Sequence, residues 1–314
     1  MTRLPKEPAA PTMYFVGVST GGSFMNALFP LWARALELGS ARLEGIDVRL
    51  DAPAGDYVAV VEFIRGNAYA RGALVTSHKV NLVRHAGPLF DELEDDALRL
   101  GEVSAIIKRQ GRLVGAAMDP VSAGAALGEL VPAGHWRRRG DAEVLILGCG
   151  GAALAIALRL LERPEGDRPT RITLTDIGAD ALEHARERLG GIAPAGRLRL
   201  VHVAAVGDHH RLLAGLGPGS LVVNATGMGK DRPGSPVGDD ATFPNHGLVW
   251  ELNYRGQRRF LAQARRQQEA RALTIADGWL YFLHGWSQVI GAVFGVSVDA
   301  VSFARLRAAA ESLR

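Results

Sequence analysis

The chain has 314 residues, 47% hydrophobic and 22% charged, which is ordinary globular usage and long enough for two domains of about 100–200 residues each. Its 36 basic and 33 acidic residues leave a formal net charge of +3, too balanced to argue for a nucleic-acid partner, and no apolar run approaches the roughly 20 residues needed to cross a bilayer. The single cysteine, Cys149, excludes an internal disulfide; with a polar, proline-rich N-terminus that lacks a secretion-signal pattern, the expected location is cytoplasmic.

Two blocks of alternating strand and helix signals follow, and they predict an α/β protein with parallel sheets and crossover helices. In the first block a strand is expected over 13–18, a helix over 24–38, a strand over 45–50, a helix over 57–67 and a strand over 72–76. That third strand runs into Ser77-His78-Lys79 and a further helix. Residues 103–114, with Gln110-Gly111 near the centre, read as a hairpin. A helix over 121–130 and a linker through Pro132-Ala133-Gly134 and Arg137-Arg138-Arg139 separate the blocks. The arginine pairs Arg258-Arg259 and Arg265-Arg266, like that run, read as solvated faces.

The second block opens on the unbroken apolar run Val144-Leu145-Ile146-Leu147, a buried strand. Further strands are expected over 171–175, 198–203, 221–224 and 248–252, with helices between most of them. Residues 281–313 read as helical and apolar enough to pack against a large partner surface. The implied domains are 1–120, 121–276 and a C-terminal helical segment, 277–314.

Gly148-Cys149-Gly150-Gly151-Ala152-Ala153 follows the buried strand and opens an apolar helix, the G-x-G-x-x-G/A arrangement of dinucleotide-binding domains. Gly148 permits the tight turn, Gly150 lets backbone approach a pyrophosphate, and Ala153 is small enough for close helix–strand packing. The free N–H groups of Gly150, Gly151 and Ala152 and the helix dipole then favour phosphate. The strand Ile172-Thr173-Leu174-Thr175 ends in Asp176, which can bind both ribose hydroxyls and repel a 2′-phosphate, so NAD is expected over NADP. Asp176 comes later than the usual offset of about 20 residues, and Arg163–Arg168 reads as the insertion that absorbs the difference. His78 and His209-His210 lack partners at metal-ligand spacing, so no metal is expected.

Lys79 and Asp119 both fall at the ends of elements, where ligands of α/β proteins bind. A lysine of tuned pKa can take a hydroxyl proton as hydride leaves, with a carboxylate to orient it.

Several segments in order resemble the shikimate dehydrogenase family over nearly the full length. Val75-Thr76-Ser77-His78-Lys79 is similar to its V-T-x-P-x-K, though shorter, and Gly101-Glu102-Val103-Ser104-Ala105 to its G-A-V-N-T. Gly115-Ala116-Ala117-Met118-Asp119 resembles G-x-N-T-D, Asn224-Ala225-Thr226-Gly227-Met228 a shortened N-A-T-x-x-G-M, and Glu251-Leu252-Asn253-Tyr254 the D-x-x-Y segment. The resemblance implies an N-terminal α/β substrate domain, a C-terminal Rossmann NAD-binding domain, and C-terminal helices that return to the substrate domain. It makes Lys79 and Asp119 the catalytic dyad. It places Asn224, Thr226, Gly227 and Met228 at the cofactor, and Ser19, Ser23, Thr76, Tyr254, His284 and Gln288 at a small-molecule substrate.

The chain departs from that pattern on the substrate side. The family's S-x-S-P turn reads Ser19-Thr20-Gly21-Gly22-Ser23 here, and the family's substrate-binding asparagines fall at Leu74, Ser104 and Ala117. Shikimate is therefore expected to be a poor substrate, and a less polar or differently arranged cyclic hydroxy or keto compound to fit better. Two other readings keep the nucleotide site: a non-catalytic regulatory protein, and an epimerase with tightly bound NAD. A homodimer is left open.

Overall fold

A computed structural model describes residues 2–230 and 232–314. The chain divides into two compact units, one of residues 1–118 with 285–314 and one of residues 119–284, against changes expected at 120/121 and 276/277.

The first unit runs β1 (Thr12–Gly17), α1 (Met25–Ala35), β2 (Arg42–Asp47), α2 (Ala54–Gly66), β3 (Ala70–Val75), α3 (Lys79–Ala86), β4 (Glu92–Leu93), α4 (Asp95–Leu100), β5 (Ala105–Arg109) and β6 (Arg112–Ala116). Its six strands lie in the order β2-β1-β3-β5-β6-β4. The strand β1, Thr-Met-Tyr-Phe-Val-Gly, is buried along its whole length because it sits between two parallel neighbours, β2 and β3. The expectation of a parallel sheet needs correction here: β3 pairs antiparallel with β5, and β5 with β6, so the sheet is mixed. The cause is the hairpin itself. Gln110 and Gly111 take φ values of 52° and 77°, the pair of left-handed residues that a two-residue hairpin turn requires.

The second unit runs α5 (Asp119–Leu130), α6 (His135–Arg139), β7 (Val144–Leu147), α7 (Gly151–Leu161), β8 (Ile172–Asp176), α8 (Ala179–Leu189), β9 (Leu198–His202), α9 (Val206–Ala214), β10 (Leu221–Asn224), β11 (Leu248–Glu251), α10 (Arg259–Arg265), α11 (Gln268–Arg271) and β12 (Thr274–Ala276). All strand pairs are parallel and the order is β12-β11-β10-β7-β8-β9. This is the doubly wound Rossmann order, in which the chain changes direction across the sheet between β7 and β10. One face is sealed by Leu145, Leu147, Val222 and Val249 packed on Phe243 and Phe260, whose rings meet edge to face at 5.5 Å.

The expected linker around residues 132–140 is instead partly the helix α6. His135 and Trp136 are buried, with the imidazole Nε2 of His135 2.8 Å from the Gly219 carbonyl. The Asp167 carboxylate accepts the N–H groups of Gly134, Trp136 and Arg137 at 3.1–3.3 Å. Asp167 lies in the insertion after α7, so that insertion caps the start of α6 in addition to lengthening the loop.

The helix α12 (Trp279–Phe294) carries the chain from the second unit into the first, and α13 (Ala300–Glu311) follows it. The C-terminal helical segment packs on the N-terminal sheet and helices. Trp286 meets Phe15 edge to face at 5.0 Å, Phe294 lies 6.3 Å from Phe29, and the Trp32 indole donates to the Leu306 carbonyl at 2.9 Å.

Candidate functional site

In the second unit the carboxyl ends of β7 and β10 form the switch point where open α/β sheets bind ligands. The turn after β7 is built as a phosphate cradle. Gly148 has φ +96°, and a Cβ there would lie 2.8 Å from the Ala225 carbonyl oxygen, so only glycine fits. Gly150 is extended, and a Cβ on it would meet nothing within 4 Å; that side of the loop is open for close approach. Gly151 and Ala152 begin α7, whose first turn holds no acidic residue, and Ala153 is fully buried against the sheet. The residues therefore fit a dinucleotide pyrophosphate.

Asp176, at the end of β8, lies beside that loop. One carboxylate oxygen accepts the Cys149 N–H and the other the Gly178 N–H, each at 2.9 Å. No side-chain hydrogen bond caps α8, so Asp176 is not the helix cap that its position before Ala179 also allows. No lysine or arginine occurs from Ile177 to His184. Cys149 itself is inert: burial, then the charge of Asp176, pushes its thiol up to about 12.

After β10, the loop 224–228 is tied down by side chains. Asn224 Oδ1 accepts from the Thr226 N–H at 3.2 Å and the Thr226 hydroxyl at 2.7 Å, and Thr226 Oγ1 accepts the Met228 N–H at 3.1 Å. Gly227 has φ +72° and lets the loop turn. Behind it stands Glu251 at the end of β11, fully buried. Its two oxygens accept from the Asn224 amide and the Asn253 N–H, both at 2.9 Å. Burial pushes its carboxyl up to about 7, against the opposing pull of these hydrogen bonds. Sequence reasoning assigned Glu251 no role. The one signal was an acid at the first position of a D-x-x-Y-like segment, and its weight comes from complete burial.

In the first unit, Lys79 opens α3 and donates its N–H to the Thr76 carbonyl at 3.2 Å, while its own carbonyl accepts the Val103 N–H at 3.1 Å. Thr76 Oγ1 bonds the Val16 carbonyl at 3.3 Å. The turn is anchored by His78, which is buried. Its Nε2 lies 2.8 Å from the Val48 carbonyl and its Nδ1 3.2 Å from the Tyr57 hydroxyl, which also accepts from Asn81. A carbonyl only accepts, so Nε2 carries the proton and Nδ1 accepts from Tyr57; burial lowers the His78 pKa and keeps this neutral form.

Ser104 is buried, its Oγ accepting the Met118 N–H at 2.7 Å, and its carbonyl accepts the Val75 N–H at 2.8 Å. Segment 103–104 thus holds both the turn that bears Lys79 and the strand end that leads to Asp119. Ser19 is exposed, and Ser23 Oγ accepts the Met25 N–H at 3.2 Å at the start of α1. Thr20 between them is pinned by Asp47 through its N–H and hydroxyl at 2.8 and 2.6 Å.

Asp119 is the first residue of the second unit and opens α5. Tyr254 stacks on Phe282 with ring centroids 4.2 Å apart. His284 lies 2.9 Å from a Glu129 carboxylate oxygen, while Gln288, one turn later, belongs to the first unit. His209 bridges the Pro236 carbonyl and the Thr175 hydroxyl, and His210 accepts the Gly238 N–H. Among the described residues no group of three His, Cys, Asp or Glu side chains could hold a metal ion, and no helix is long and apolar enough to cross a membrane.

No protein-family model matches the chain. It is 27% identical over 235 residues to the shikimate dehydrogenase (NADP(+)) of Streptococcus thermophilus, covering 74% of this chain and 76% of that one. Over 277 residues it is 29% identical to the shikimate dehydrogenase (NADP(+)) of Methylocella silvestris, covering 88% of each. Its fold matches the quinate dehydrogenase of Corynebacterium glutamicum, solved in complex with NAD, with a TM-score of 0.73 at 18% identity over 96% of this chain and 99% of that one.

Proposed function

We propose that the chain, which is similar to shikimate dehydrogenases over most of its length, is a divergent member of that family and an NAD(P)-dependent oxidoreductase that interconverts a hydroxyl and a keto group on a small cyclic molecule. The observation that carries this reading is the cradle after β7, where only glycine fits at Gly148 and Asp176 stands at the neighbouring strand end.

The bound nicotinamide supplies the hydride acceptor or donor. The chain's own residues do the rest. Lys79 takes the substrate hydroxyl proton on oxidation and returns it on reduction, and Asp119 orients the lysine and shares the proton. Gly150, Gly151 and Ala152 present N–H groups to the pyrophosphate. Thr226 and Met228 line the nicotinamide end.

The two named relatives are NADP+ enzymes, and NADP remains a cofactor of this reading. The preference we infer is nevertheless for NAD. A carboxylate at the end of β8, with no cation in the turn that follows, accepts ribose hydroxyls and repels a 2′-phosphate. On the substrate side, Leu74 and Ala117 offer no side-chain donor, and Ser104 offers one hydroxyl, whose oxygen accepts the Met118 N–H, in place of an amide. The substrate is therefore less polar than shikimate, or carries its hydroxyls elsewhere.

The test is reduction of NAD+ and NADP+ at mildly alkaline pH with a panel of cyclic hydroxy acids and polyols. Turnover with a panel member, and a better kcat/KM with NAD+, is the expected outcome. Failure to reduce either cofactor with any panel member, in a chain that binds both, would sink the enzymatic reading in favour of a nucleotide-binding regulator.

A further inference from the structure

Glu251 is a buried acid that the proton-transfer scheme leaves unused, and it lies at the root of the loop that follows β10. The chain of contacts is continuous. The carboxylate holds the Asn224 amide and the Asn253 N–H. Asn253 Nδ2 then donates to the Met228 carbonyl at 2.8 Å. Asn224 Oδ1 holds both the N–H and the hydroxyl of Thr226, whose oxygen holds the Met228 N–H. Both backbone polar groups of Met228 are thus fixed through Asn224 and Asn253, and both asparagines are oriented by one carboxylate.

The groups bonded to that carboxylate, the Asn224 amide N–H and the Asn253 backbone N–H, are donors. This matches a carboxylate, which only accepts, and it does not match a carboxylic acid, which must also donate. A protonated Glu251 can place its O–H on Asn224 Oδ1 only if that amide turns over. The turn withdraws Oδ1 from Thr226 and presents NH2 to the Thr226 N–H, which only donates, and to the Thr226 hydroxyl, which would have to turn its proton away.

The geometry points to Glu251 as a positioning residue that holds the nicotinamide-end loop in its binding form when ionised and releases it when protonated. This rests on the reading that loop 226–228 lies at the nicotinamide. Among the described residues, charged groups on the neighbouring segments are Lys230 and Arg232 in the same loop, Arg255 and Arg258 after β11, and Asp277 after β12. Arg258 favours ionisation of Glu251 and is itself paired with Asp277 at 3.1 Å. Since burial pushes the Glu251 carboxyl up to about 7, the two forms exchange across neutral pH.

The experiment compares NAD+ with ADP-ribose, which lacks only the nicotinamide, by calorimetry from pH 6 to pH 8.5 on the full chain. If the chain prefers NADP+, the 2′-phosphorylated pair replaces it. Titration at the adenine or pyrophosphate end enters both curves and cancels in their ratio. With a midpoint near 7 the binding-competent fraction is about one tenth at pH 6, so NAD+ affinity relative to ADP-ribose should be about tenfold weaker there than at pH 8. Glu251→Gln, whose amide cannot accept on both sides, should show the weak ratio at every pH, and Glu251→Asp should recover part of the dependence. A ratio that is flat with pH in the wild type, and unchanged in Glu251→Gln, would overturn the inference while leaving the cofactor reading intact. Failure of the wild type to bind either ligand would overturn both. If Glu251→Gln binds no ADP-ribose because it does not fold, the wild-type pH curve alone decides.

Discussion

The two units differ in what they retain. At the switch point of the second unit, the groups a dinucleotide needs are in place: Gly148 where only glycine fits, Gly150 open to approach, Asp176 at the strand end, and a loop locked by Asn224. In the first unit the lysine turn is anchored as firmly, through His78, yet the positions that carry amides in the family hold Leu74, Ser104 and Ala117. On the proposed reading, cofactor and proton-transfer groups are retained in type while the substrate-facing donors are not. On the proposed function, this contrast corresponds to a changed substrate.

The largest expected effect lies at Lys79. General acid–base catalysis contributes about 10²–10⁴-fold, so Lys79→Ala should lower kcat by that order while NAD+ affinity, read by fluorescence, stays put. Arginine at position 79 stays charged at working pH and should not rescue. Asp119→Asn should also lower kcat, and the double variant should be little worse than the worse single variant, since the two act as a unit. Fully additive losses would break the dyad, and a wild-type rate in Lys79→Ala would leave the first unit without its proposed chemistry.

Gly148→Ala tests the other side of the contrast. The new methyl would meet the Ala225 carbonyl at 2.8 Å from a backbone held at φ +96°. Strain of this kind costs on the order of 1–3 kcal/mol, so NAD+ and ADP-ribose should both bind about 5–150-fold more weakly. Unlike a change at Glu251, this loss should not depend on the nicotinamide, and selective loss of NAD+ alone would contradict the assignment of the loop to the pyrophosphate.

Stability against pH separates Glu251 from the buried histidines. Glu251 titrates at about 7 when folded and near 4.5 when exposed, so between those values the folded state binds more protons than the unfolded one. Stability from this group therefore falls as pH rises from about 4.5 to about 7 and is level above. The buried histidines His78, His135 and His209, all with lowered pKa values, act with the opposite sign: they must charge on unfolding, so their contribution rises with pH up to about 6.5. The difference in urea midpoint between wild type and Glu251→Gln isolates the carboxyl, and it should change steadily in favour of Gln as pH rises through 5, 6 and 7. A constant difference would mean that Glu251 is ionised throughout.

At Asp176 the expected change is in selectivity. If Asp176 accepts from ribose hydroxyls as proposed, its removal loses charged hydrogen bonds worth about 1.5–3 kcal/mol for NAD+ and also removes the repulsion of a 2′-phosphate. Asp176→Ala should narrow the ratio of kcat/KM for NAD+ over NADP+ by about tenfold or more, and a wild type that already prefers NADP+ would refute the inferred preference. Because Asp176 also holds the Cys149 N–H, some loss with both cofactors is expected alongside the narrowed ratio.

Much of this architecture was legible from residue pattern. β7 is an unbroken apolar run and β10 three apolar residues ending in Asn224; both are buried along their length, and their ends match expectation. The hairpin followed from Gln110-Gly111, and the glycine loop from its place between strand and helix. What was not legible is tertiary. β12 has three residues at a sheet edge and β4 has two, too short for any periodicity to show. α6 exists because an Asp167 carboxylate from a later insertion caps it, and five residues of His-Trp-Arg-Arg-Arg carry no helical stripe of their own. The change of unit inside α12 is invisible because Trp279–Phe294 is one uninterrupted helix with no proline at the change. Within the site, the glycines announced themselves by spacing. Glu251 and His78 acquire meaning only once burial and partners are known: an acid and a histidine in a sequence look the same whether solvated or locked.

The smallest expected effect concerns Ser104, and it bears directly on the contrast between the units. If the serine were a surviving substrate ligand, Ser104→Ala would lower kcat/KM sharply, because a buried polar partner would be left unpaired in the complex. The structure gives its oxygen a different role, since it accepts the Met118 N–H at 2.7 Å, one residue before Asp119. Removal then leaves the part-buried Met118 N–H without this acceptor, a loss of up to about 1–3 kcal/mol in stability. It should appear as a lower Tm, with kcat/KM for the best panel substrate changed only a fewfold through the position of Asp119. Ser104→Asn is the sharper variant, since its amide oxygen can take over the Met118 N–H while its NH2 restores a donor of the family's type. If the missing amides are what exclude shikimate, the triple change Leu74→Asn, Ser104→Asn and Ala117→Asn should raise activity on shikimate, and Ser104→Asn alone only slightly. A large loss in Ser104→Ala with no change in Tm would return Ser104 to the substrate site and weaken the claim that this unit has given up its polar contacts.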